Sequence, residues 1–230
     1  MISSRNSAVS PIEIVPLKLK YPQGGEKQLI ESITGKQVPS GKLPSDIGVI
    51  VQNISTVFAI YQAIQKNRPL IDRVVTITGK RLPHTGNFLV RLGTPIIDIL
   101  NFAGFDANSQ TAPYKVVSGG PMMGAAISNV ESAVLKGTSG VLVLEDNDAI
   151  RHKELECIKC GKCIAACPMG LEPYLLFRLC ELKRYDDLIA NHIIDCIECG
   201  CCTFTCPAAL PLLDQIRVGR ALARKIASKK

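Results

Sequence analysis

Histidine is scarce in this chain. Of 230 residues only His84, His152 and His192 are imidazoles, and none stands at metal-ligand spacing from another. No Gly-x-Gly-x-x-Gly, Walker loop or Ser/His/Asp set occurs either, so a complete dinucleotide loop, a P-loop and triad hydrolysis are not represented. Bilayer-length apolar runs are missing too. One stretch, Ile47–Ile64, carries no charge for eighteen residues, but Gln52, Asn53, Ser55, Thr56 and Gln62 make it too polar for a span. Its pattern predicts a strand over Ile47–Val51 and a helix from Ser55. The opening residues lack the basic-then-apolar order of a secretory signal. The formal charge is +7, but six bases against one acid, Asp214, lie after Cys206. The rest is near neutral, which leaves no general nucleic-acid footprint.

Cysteine, by contrast, is abundant. Ten thiols without a secretory signal point to a reducing compartment, where they serve metals more often than disulfides. Eight fall into two identical frames, Cys157-x2-Cys160-x2-Cys163-x3-Cys167-Pro168 and Cys196-x2-Cys199-x2-Cys202-x3-Cys206-Pro207. Three thiolates in one tight loop can hold three corners of a cubane, while the fourth, beginning a new segment, points towards the other cluster. The spacing predicts Cys157, Cys160, Cys163 and Cys206 on one [4Fe–4S] cluster and Cys167, Cys196, Cys199 and Cys202 on the second. Structural zinc would rather take cysteine pairs a dozen or more residues apart. Gly161 and Gly200 suit the tight turns, and the prolines turn the chain out of each loop. Cys180 reads as a small buried hydrophobe beside Leu175, Leu176, Leu179 and Leu182. Cys201 reads as facing backbone or a cluster sulfide.

Between the frames, Glu172–Arg184 and Asp186–His192 read as helices, and a third follows Pro211. The cluster module is therefore expected to be a helical ferredoxin domain. Earlier in the chain, Gly24-Gly25 open a helix from Glu26. Residues 73–104 read strand, turn, strand and helix, with Gly104 as the stop. "YKVVSGGPMMGAA" adds a strand and a Gly-rich turn, and "GVLVLEDND" another strand. Met122 and Met123 are expected to pack against a neighbouring domain.

"YPQGGEKQLIESITG", "RVVTITG", "VSGGPMMG", "CIKCGKCIAACPMGLEPYLL" and "DCIECGCCTFTCPAALPLLDQIR" resemble the RnfC (RsxC) family, the C subunits of the ion-translocating Rnf electron transport complex. The resemblance runs from about Tyr21 to Arg217. It implies an α+β, multidomain chain. Residues 1–70 would be the end of a complex-I-like flavin/NADH domain, 71–150 a β-grasp soluble-ligand-binding domain, and 151–230 the two-cluster ferredoxin domain with a basic tail. It further implies a peripheral position on the cytoplasmic side of a membrane complex. The partners implied are that complex's other subunits, ferredoxin-type carriers and NAD(H), with no nucleic acid. Gly25 and Glu26 match one flavin-contacting turn of the related complex I subunit, and Asn53 and Thr56 its Asn-x-x-Thr contact. The family's Gly-rich flavin loop is missing, so FMN is expected only if another chain supplies that half. The function expected is electron transfer rather than catalysis by this chain alone. A flavin-dependent cobalamin reductase-like carrier, or a docking module with structural clusters, are the competing readings. The six C-terminal bases are expected to favour weak association with anionic membrane surfaces, led by Arg217, Arg220, Arg224 and Lys225.

Overall fold

The computed structural model describes residues 12–106 and 114–227. The chain divides into two compact units, 1–51 and 52–230. In the first, α1 (Glu26–Thr34) begins after Gly25 and ends at Gly35, whose amide donates to the Glu31 carbonyl. The Leu43 amide donates to the Asp46 carboxylate at 2.8 Å, holding a 3-10 turn over Pro44–Ile47. Ile30 and Val38 are its buried apolar residues.

The second unit opens with α2 (Ile54–Lys66). Its cap is Asn53, whose side-chain oxygen accepts from the Ser55 amide at 2.9 Å. The strand expected over Ile47–Val51 does not form. The segment ends one 3-10 turn and then runs irregularly into Asn53, with Ile50 81% exposed. A strand needs a partner for its backbone, and the five-stranded sheet pairs no strand with this segment.

That sheet holds β1 (Asp72–Gly79), β2 (Gly86–Arg91), β3 (Tyr114–Ser118), β4 (Ala125–Ala126) and β5 (Gly140–Glu145) in the order β2-β1-β5-β3-β4. β1 pairs parallel with β5; the other pairings are antiparallel. Alternation puts Val75 and Ile77 of β1, and Val141 and Val143 of β5, on one face. They form a core with Ile96, Ile99 and Leu100 of α3 (Ile96–Phe102). Glu145 continues the inward face of β5 and is 1% exposed, with Arg81 Nε 3.8 Å from its carboxylate.

The C-terminal part is helical: α4 (Lys162–Ala165), α5 (Pro173–Glu181), α6 (Tyr185–Ala190), α7 (Cys201–Phe204) and α8 (Leu212–Ala227). Its core gathers Leu176, Phe177 and Leu179 of α5, Leu188 of α6, and Leu212, Ile216 and Ala223 of α8. The buried face of α5 is turned from the one expected: Leu175 and Leu182 are exposed, and Phe177 takes their place. Among the described residues no helix is long and apolar enough to cross a membrane.

Candidate iron–sulfur centres

The two cysteine frames fold into the same local shape. Lys159 and Gly161 take φ 55° and 72° in the first; Glu198 and Gly200 take 56° and 82° in the second. The Lys159 amide donates to Cys157 Sγ and the Glu198 amide to Cys196 Sγ, both at 3.4 Å. Left-handed residues set among right-handed ones turn successive N–H groups towards one concavity, the kind that anionic iron–sulfur groups occupy. A one-turn helix, α4 or α7, then carries the third cysteine, Cys163 or Cys202.

Two clefts result. One, about 190 Å³, is lined by Cys157, Cys160, Cys163 and Cys206, with Tyr174 and Leu212 among its walls. The other, about 20 Å³, is lined by Cys167, Cys196, Cys199 and Cys202, with Leu176 and Ile216 behind them. Each cleft thus gathers three cysteines of one frame and the last cysteine of the other. Among the described residues no three His, Cys, Asp or Glu side chains are grouped to hold a metal ion. The thiols line clefts instead, as soft donors with apolar walls and N–H···S bonds, a set that fits iron–sulfur chemistry.

Burial raises three of these thiols. It pushes Cys202 up to about 12, with Cys196 and Cys199 adding to it. Burial also raises Cys163 and Cys196. The ligating form of a cysteine is the thiolate, so any metal bound there would have to expel these protons. Cys201, at the start of α7, is raised to about 11 by burial and by its hydrogen bond with Cys199. Cys180, half-buried, is raised to about 11 by burial; its Sγ lies where a Cβ on Gly219 of α8 would stand, 2.2 Å away. Neither lines either cleft.

The basic helix α8 makes internal contacts as well. Arg220, 16% exposed, donates through Nη1 to Glu198 Oε1 at 2.7 Å and through Nε and Nη2 to the Ile194 carbonyl at 3.2 and 3.1 Å. Arg217 places Nε 3.3 Å from Glu198 Oε2 and donates through Nη2 to the Met123 carbonyl at 3.0 Å. These two guanidiniums therefore face the second cysteine loop. The helix packs through Leu213, Ile216, Gly219 and Ala223, an apolar stripe that the residue pattern alone did not reveal. The visible signal was the acid inside the second frame, Glu198, where the first has Lys159. The backbone carbonyls of Met122 and Met123 meet this module, and Met123 is 49% exposed.

The four residues matched to flavin contacts are split between the units. Gly25 caps α1 and Glu26 begins it, in the first. Asn53 caps α2 and Thr56 lies in its first turn, in the second. The three histidines line none of these clefts.

The family model of the Nuo51 FMN-binding domain matches residues 2–62. The chain is 46% identical over 176 residues to the C subunit of the proton-translocating ferredoxin:NAD(+) oxidoreductase complex of Clostridium ljungdahlii, covering 76% of this chain and 38% of that protein. To the C subunit of the ion-translocating oxidoreductase complex of Yersinia enterocolitica it is 44% identical over 167 residues, 72% of this chain and 24% of the relative. To the C subunit of the Na(+)-translocating ferredoxin:NAD(+) oxidoreductase complex of Acetobacterium woodii it is 41% identical over 211 residues, 92% of this chain and 47% of the relative. The chain spans less than half the length of each of these relatives.

Proposed function

We propose, from the premise that this chain is homologous to the RnfC proteins over most of its own length, that it carries single electrons through two [4Fe–4S] clusters. One is held by Cys157, Cys160, Cys163 and Cys206, the other by Cys167, Cys196, Cys199 and Cys202. The observation that carries this is the pair of clefts, each lined by one frame's triplet and the other frame's last cysteine. The clusters supply reversible one-electron storage. The chain supplies the thiolates, the N–H groups aimed at Cys157 and Cys196, and apolar residues lining each cleft.

The complex is the one that the relatives' names print, while its side of the membrane and the domain roles rest on the family resemblance. The assembly couples ferredoxin and NAD(H) redox chemistry to ion translocation, and this protein sits peripherally on its cytoplasmic side. Residues 71–150 serve as the β-grasp domain and 151–230 as the ferredoxin domain. Residues 1–70 belong to a flavin domain, to whose FMN site Gly25, Glu26, Asn53 and Thr56 contribute. Arg217 and Arg220 of α8 are engaged with Glu198 and with backbone carbonyls.

Anaerobic purification with iron and sulfide analysis tests the proposal. About eight of each per chain are expected; stoichiometric zinc without visible charge-transfer absorption would refute it. Cys206→Ala should damage the cluster of the first frame, read by paramagnetic resonance. Damage confined to the second frame would mean that the ligands are not exchanged.

A further inference from the structure

The two frames are copies in spacing and backbone shape, yet among the described residues the second is the more covered. A Cβ on Gly200 would stand 2.6 Å from the Met122 carbonyl oxygen, and Arg217 ties the Met123 carbonyl to the same loop. Cys199 and Gly200 are buried there, and Ile197 and Glu198 half-buried. A Cβ on Gly161 would meet nothing within 4 Å. Lys159, Cys160 and Lys162 are exposed, Ile158 is 69% exposed and Ile164 46%. The charge differs as well. Lys159 stands where the second frame has Glu198, and Lys162 where it has Cys201. Neither lysine makes an ion pair among the described residues. No acid lies between Cys157 and Cys167; the nearest, Glu156, stands just outside.

We propose that the first frame is the port through which this protein exchanges electrons with an acidic one-electron carrier protein, the second frame being the internal station. The proposal rests on the two-cluster reading above. Electron transfer falls off steeply with distance, and among the described residues the Met122 carbonyl stands against the second frame's glycine while the first frame's glycine faces open space. The patch has the make-up of a transient redox contact: two exposed isoleucines for a small apolar centre, and two lysines to orient an acidic partner. One electron crosses per encounter between the carrier's iron–sulfur centre and the first frame's. No bond forms or breaks.

The test uses the loaded protein, with its iron and sulfide verified, and a small acidic [2Fe–2S] ferredoxin as the probe. Calorimetry at low salt should show Lys159→Glu with Lys162→Glu weakening binding at least about tenfold, because reversed charges repel where they attracted. Arg224→Glu with Lys225→Glu, remote bases, should change it by less than about twofold. A dissolved anionic paramagnet should broaden one cubane's resonance far more than the other's, and that signal should be the one that Cys160→Ala removes. Unchanged ferredoxin affinity in the lysine pair, or stronger broadening of the second-frame signal, would overturn the port while leaving the clusters standing. Absence of the cubanes from the native protein would overturn the reading beneath both.

Discussion

Replacing each frame's glycine by alanine should give unequal damage. Gly161 and Gly200 both hold left-handed backbone, φ 72° and 82°, so an alanine at either costs about 1–2 kcal/mol from conformation alone. At Gly161 the new methyl meets open space, and the cost stops there. At Gly200 it meets the Met122 carbonyl at 2.6 Å, a backbone atom that cannot swing aside as a side-chain end does. Overpacking of this kind adds about 1–3 kcal/mol. Gly200→Ala should therefore cost about 2–5 kcal/mol in total, most of the excess felt where residues 119–124 rest on the second frame. A cofactor-bearing chain with more than one core need not unfold in two states, so a single melting temperature is a poor reporter. The rate of iron loss to a chelator under anaerobic conditions is a better one. Gly200→Ala should lose iron from the second frame faster than Gly161→Ala loses it from the first. Equal rates, or the reverse order, would refute the claim that the loop is seated on the second frame.

Gly219→Ala should destabilise α8's packing, because its methyl would stand 2.2 Å from Cys180 Sγ, outweighing the roughly 1 kcal/mol gained in helix propensity. Adding Cys180→Ala removes that atom and should restore stability, so denaturation midpoints of the two single variants and the double variant should be strongly non-additive. In the loaded wild type, Cys180 should alkylate roughly a hundredfold more slowly at pH 8 than a thiol at the ordinary 9.0, and the rate should climb as pH rises towards about 11, since only the thiolate reacts; a plateau near pH 9, followed by mass spectrometry, would contradict its burial. Arg220→Ala removes a charged bond to Glu198 and two to the Ile194 carbonyl, and should cost about 1.5–3 kcal/mol and speed iron loss from the second frame alone. Arg81→Ala leaves Glu145 buried without its nearby cation and should destabilise the sheet, with Glu145→Gln in the same background recovering most of the loss.

Features that depend on near neighbours were legible in the sequence. The cysteine spacing, the glycines at the loop turns, the strand–turn–strand–helix order over 73–104 and the three longer helices α5, α6 and α8 of the C-terminal part are local, set by chain reach and side-chain periodicity. What the sequence misplaced depended on distant partners. Ile47–Val51 has the composition of a strand, but no other strand pairs with it. Arg217 and Arg220 resemble a solvated basic tail until Glu198 and two backbone carbonyls are brought beside them from other parts of the chain. The difference between the frames was half written. Lys159 and Glu198 are visible in the sequence, but the cover that buries one copy and leaves the other open comes from the 119–124 loop, more than seventy residues before Gly200. Two equal spacings can fix two equal ligand loops. Only tertiary packing, where a remote carbonyl takes the space above one glycine, can make them unequal.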